Sequence, residues 1–154
     1  MAEAATSSFD LIDTSEWPIL HVTILGPPSH VSEIDVFQAK FLALLRLANS
    51  GADGIPAEKI CIVFNLDGIL RASLEQQIRA ASFIKDVREF VNKSIYSTAL
   101  VIQNETVKTI IEFIFSIQPL QSLNRVFNDT GSALAWSRKN RMRQQNGLEP
   151  LYDL

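Results

Sequence analysis

The sequence predicts an α/β domain in which a five-stranded, mainly parallel sheet carries four helices, in the order ββαβαβαβα. Three observations lead there. Ile60–Leu66 is an apolar, β-branched run too short for a helix, which fits a strand covered on both faces. Two further strand-like runs, Thr98–Ile102 and Leu123–Phe127, are separated from it and from each other by stretches of helical periodicity. Strands joined by helices of this length pair in parallel through right-handed crossovers, and an opening hairpin adds an antiparallel edge.

Taken in order, Phe9–Asp13 alternates and suggests a short strand. Trp17-Pro18 forms the turn, and Ile19–Leu25 is a second strand closed by Gly26-Pro27-Pro28. A helix follows from about Ser32, with Ile34, Phe37, Phe41, Leu44, Leu45 and Ala48 at helical spacing, until Gly51 stops it. Ser50–Pro56 reads as a surface loop. After the central strand, Asp67-Gly68 makes a turn and Ser73-Leu74-Glu75-Gln76 fits a capping box that opens a helix to Val91. Its apolar stripe is Ala80, Phe83, Ile84, Val87, Phe90 and Val91, opposite Arg79, Asp86, Glu89 and Lys93. Asn104 caps a third helix whose stripe is Val107, Ile110, Ile111, Ile114 and Ile117, ended by Pro119. Ser132 is expected to cap the last helix, which carries Ala133, Leu134 and Trp136. The basic end of that helix, Arg138, Lys139, Arg141 and Arg143, complements a helix dipole and needs no nucleic acid to explain it. The chain therefore divides into a short tail (1–8), one domain (9–143) and a polar tail (144–154) with Leu148, Leu151, Tyr152 and Leu154 as docking side chains.

Composition sets the outer limits. A chain of 154 residues can bury roughly 70% of its unfolded surface and needs no disulfide or metal to fold. A net charge of −3 argues against a nucleic-acid module working by long-range attraction. The one cysteine, Cys61, lies in the apolar strand and builds neither a disulfide framework nor a zinc site. The first residues lack the positive and apolar regions of a secretory signal and the Arg of a transit peptide. The longest apolar candidate, Ile110–Ile117, is broken by Glu112 and Ser116 and falls short of the ~20 residues of a membrane span. These features predict a soluble, cytoplasmic protein that neither spans a membrane nor binds nucleic acid.

Residues able to do chemistry are scattered. His21 falls within a strand and His30 in a loop, with no second His or Cys at metal-ligand spacing. Asp10, Asp13 and Glu16 cluster near the hairpin and Asp67 at a strand end, where loop carboxylates are normally just solvated. Gly51, Gly54 and Gly68 match neither a Walker A nor a dinucleotide pattern. The reading is a non-enzymatic domain with no cofactor, no metal and no catalytic residues. An apolar surplus is more informative. Val36, Ala43 and Leu47 lie opposite the core stripe of the first helix, and Phe113 and Phe115 widen that of the third to about 200°. Such surplus marks a subunit or partner contact. The expected partner surface joins Asp67, Arg71, Leu74 and Ile78 with Phe113 and Phe115.

Two local sequences add a resemblance. Ile62-Val63-Phe64-Asn65-Leu66-Asp67-Gly68-Ile69 resembles the hydrophobic strand ending in Asp-Leu-Ser-Gly-Val of the SpoIIAA-like group, which holds the STAS domains of anti-sigma-factor antagonists. Arg125-Val126-Phe127-Asn128-Asp129 followed by Ala133-Leu134-Ala135-Trp136 resembles that group's last strand and final helix. The similarity covers roughly Phe9–Arg138. It implies the SpoIIAA-like (STAS-like) fold and a regulatory protein–protein interaction module, with a protein partner or a homo-oligomer. In antagonists that switch by phosphorylation an Asp-Ser pair opens the helix after that strand. Aligned on Asp67-Gly68, those positions fall on Ser73 and Leu74, so the Ser is one place early and its Asp is missing. Ser73 is accordingly both the expected helix cap and the candidate phosphosite. The alternatives are a structural subunit of a larger assembly and, from lipid-handling relatives, a small apolar-ligand (lipid) binder.

Overall fold

The computed structural model describes residues 9–30, 32–120 and 122–151. The first tail (1–8), and Tyr152 and Leu154 of the second, lie outside them. The elements are β1 (Asp10–Asp13), β2 (Ile19–Ile24), α1 (Ser32–Ser50), β3 (Ile60–Asn65), a 3-10 turn (Asp67–Ile69), α2 (Leu74–Ser94), β4 (Ile95–Val101), α3 (Glu105–Ile117), β5 (Asn124–Phe127) and α4 (Thr130–Gln145). The expected ββαβαβαβα order is the observed one.

The strands lie side by side in chain order. β1 pairs antiparallel with β2, and every later pair is parallel. Each parallel step therefore moves one strand in the same direction, and right-handed crossovers place α1, α2 and α3 on one face. Alternation along the strands divides the core accordingly. Leu20, Val22, Ile60 and Ile62 pack under α1 and α2, and Leu66, Leu100 and Ile102 pack under α2 and α3. Ile19, Cys61, Val63, Ala99 and Val101 face the other way, where Ala133 and Trp136 of α4 cover them. β3, paired on both sides and covered on both faces, is the central strand its apolar run predicts.

The structure corrects several details. α2 does not end at Val91 but continues to Ser94 and runs straight into β4, which begins at Ile95 rather than Thr98. Ser94 is fully buried and donates its hydroxyl to the Leu45 carbonyl, 2.9 Å away in α1, so the extra turn is fixed by packing that no local pattern reveals. The cap of α4 is Asp129, not Ser132: the Asp129 side chain accepts the Ser132 backbone N–H at 2.7 Å. Within α2, Ala81 is buried while Ala80, Phe83, Ile84 and Phe90 of the expected stripe are only half-buried, and Ile117 at the end of α3 is exposed. Residues 146–151 fold back on the α4 face. Leu151 packs into that core and donates its N–H to Asn140 Oδ1 at 2.6 Å, while the Tyr96 hydroxyl donates to the Leu148 carbonyl.

Candidate functional site

The junction between β3 and α2 is locked from three sides. Gly68 of the 3-10 turn lies so near the end of β2 that a Cβ there would sit 1.9 Å from the Ile24 carbonyl oxygen. Glycine is required here by close approach, not by an unusual dihedral. The Asp67 carboxylate accepts the backbone N–H groups of Gln103, at 2.9 Å, and Asn104, at 3.1 Å, and so ties the turn to the start of α3. Ser73 Oγ accepts the Gln76 N–H while Gln76 Oε1 accepts the Ser73 N–H, completing the capping box that the sequence predicts. The same Gln76 donates its side-chain N–H to the Pro28 carbonyl at 2.7 Å, which fastens the cap to the β2–α1 loop.

This anchoring redistributes the expected site residues. Asp67 is engaged by backbone donors, so it holds the platform together and does not stand as a free rim charge. Leu74 and Ile78 are 61% and 48% exposed, one helical turn apart on the same face of α2. Leu70, which sequence reasoning missed, is 41% exposed just before them. No local pattern marks it, because Leu70 lies in the turn before α2 rather than on the helix. Arg71, Ser73 and Glu75 are exposed beside this stripe.

Phe113 and Phe115 do not join one patch. Residues two apart on a helix point about 200° apart. Phe115 packs against the core under α2 and lines an internal cavity, whereas Phe113 is exposed to solvent. On α1, Val36 and Ala43 are exposed and Leu47 is half-buried.

The carboxylates near the hairpin go to separate partners. Asp10 is buried and accepts from Lys40 at 2.9 Å. Asp13 accepts the Ser15 N–H, which holds its carboxyl below the ordinary range. Glu16 takes the Arg138 guanidinium at 2.8 Å and lies 3.3 Å from His21 Nε2. The Arg138 hydrogen bond keeps the Glu16 carboxyl below its usual range, against a smaller opposing effect of burial, with His21 adding to the lowering. The result is a strut between the hairpin and α4. Among the described residues no group of three or more His, Cys, Asp or Glu side chains is placed to hold a metal ion. Burial pushes the Cys61 thiol up to about 11, so it stays protonated inside the sheet. No helix among the described residues is long and apolar enough to cross a membrane.

Together these features define a small α/β module with a rigid strand-end platform and an aliphatic stripe on it. No family model, no curated protein and no solved structure matches the chain.

Proposed function

We propose that the chain is a non-enzymatic protein–protein interaction module that binds a protein partner through Leu70, Leu74 and Ile78 at the start of α2. One observation carries this reading: three large aliphatic side chains, Leu70 in the turn and Leu74 and Ile78 on the first turns of α2, stand exposed at a junction that is itself hydrogen-bonded in place. A preorganised surface loses little conformational entropy on binding, and apolar anchors rimmed by charge match the anatomy of protein interfaces. Arg71 and Glu75 supply that rim with both signs of charge. A partner presenting an apolar helix face or a few apolar anchors suits such a ridge. Regulation fits the same place. Ser73 sits between Leu70 and Leu74, and a phosphate on it would add negative charge both at the contact and at a helix amino end. The resemblance to the STAS domains of anti-sigma-factor antagonists points the same way and makes this a regulatory reading. A structural subunit role draws on a different observation, the exposed Val36 and Phe113 on α1 and α3.

The test is retention of partner by the whole chain, compared with Leu74→Asp and Ile78→Asp. Both side chains are largely exposed, so the variants should keep the wild-type circular dichroism and melting curve. A protein retained by the wild type and lost by both folded variants supports the stripe. Equal retention by all three overturns it.

A further inference from the structure

We infer that the partly open apolar pocket between the sheet and helices α1, α2 and α3 is a binding site for one small apolar molecule of about the size of a benzene ring. A cavity of about 170 Å³ lies there, apart from the exposed stripe and independent of its role. Protein interiors rarely hold voids larger than a water molecule, so a space this large is unusual in a domain of 154 residues.

Six phenylalanines wall it: Phe9, Phe37, Phe41, Phe64, Phe83 and Phe115. Phe37 stands at their centre, with ring centroids of Phe9, Phe41, Phe64 and Phe83 between 5.5 and 6.3 Å away. These separations suit offset or edge-to-face ring contacts, the arrangement a further aromatic ring would extend. Ala72 and Ala80 put small side chains into the wall and so leave room beside the rings.

The chemistry of the wall decides the class of ligand. Five of its residues carry polar side chains, Gln76, Gln77, Arg88, Thr98 and Ser122, and both glutamines hold local hydrogen bonds. Gln76 spends its oxygen on the Ser73 N–H and its nitrogen on the Pro28 carbonyl, and Gln77 donates to the Ala72 carbonyl at 3.0 Å. A ligand with a polar group buried among the rings would leave that group without a partner, at a cost of several kcal/mol by ordinary transfer energetics. An apolar cavity of about 150 Å³ in a protein interior stays dry and takes up benzene or xenon. A diacyl lipid is far too large for a space of about 170 Å³. Arg88 is an exposed member of the wall, on α2, and marks where it comes nearest to solvent.

The probes are benzene, xenon and naphthalene, added to the whole chain and read by thermal shift and by methyl resonances of Ile62, Leu100 and Ile111. Benzene and xenon should raise the melting temperature saturably and move those methyls, and naphthalene should do neither. Ala80→Leu, which fills the space, should weaken benzene binding at least tenfold. Phe115→Ala, which enlarges it, should admit naphthalene, and this gain of binding keeps the test valid if Ala80→Leu does not fold. No saturable effect of benzene or xenon on the wild type overturns the inference. So does benzene binding unchanged in folded Ala80→Leu, or shifts confined to surface residues.

Discussion

Replacing Gly68 by alanine adds a single methyl group at the point where the 3-10 turn meets the end of β2. That methyl would lie 1.9 Å from the Ile24 carbonyl oxygen, 2.6 Å from its carbon and 3.0 Å from the Gly26 nitrogen. All three neighbours are backbone, so no flexible side chain can move aside. The turn must retreat from β2 by on the order of 1 Å to relieve the contact. The retreat also strains the Asp67 bridge to Gln103 and Asn104 and the Gln76 link to Pro28. Overpacking typically costs 1–3 kcal/mol, and with rigid neighbours the upper end applies, about 3 kcal/mol. For a chain of this length that is a fall of roughly 6–12 °C in melting temperature. Urea unfolding followed by the fluorescence of Trp17 and the buried Trp136 measures it directly. Gly26→Ala is the control, because its Cβ would meet nothing within 4 Å. A Gly68→Ala protein within about 0.5 kcal/mol of wild type would refute the close-approach argument.

Other outcomes follow from the same geometry. Val63→Asp puts an unpaired charge at a position only 3% exposed in the central strand and should abolish cooperative folding, as seen by loss of the thermal transition. Ser73→Ala should cost about 1 kcal/mol through the lost cap in urea unfolding, whereas Ser73→Asp should cost little because aspartate caps equally well. Glu16 has a folded pKa below its ordinary value of 4.5, so its strut is fully present above that pH and is lost as pH falls through the folded value. Glu16→Gln should therefore flatten the acid limb of the stability profile below about pH 4.5 and leave its neutral limb parallel to wild type. The buried Cys61 thiol, raised to about 11, should react with a thiol reagent at neutral pH only as fast as the chain unfolds, and rapid labelling of the native protein would show the strand to be open.

The core strand and the helix after it were legible because their signals are local. Ile60–Asn65 is apolar on both faces, and Ser73 and Gln76 form a capping box within one helical turn. What escaped was decided by contacts distant in sequence. The extra turn of α2 depends on Ser94 meeting Leu45, and the role of Asp67 depends on backbone donors at Gln103 and Asn104. The expected patch of Leu74 with both phenylalanines failed on helix geometry, since an apolar arc wide enough to include Phe113 and Phe115 spans two different surroundings. Of the phenylalanines around the cavity, the helical stripes placed Phe37, Phe41 and Phe83 on the core side, Phe9 and Phe64 fell in strand runs, and Phe115 was expected at the partner surface. Only the meeting of three helices over the sheet shows that their rings leave space between them.

Hydrogen exchange of the chain bound to its captured partner, against the free chain, tests the interaction surface most directly. The account predicts new protection concentrated between Ile69 and Ser82, at the 3-10 turn and the first turns of α2, with β5, α4 and the exposed face of α1 unchanged. Protection that leaves this segment untouched and falls instead on the α1 face around Val36, or on α3 around Phe113, would contradict it.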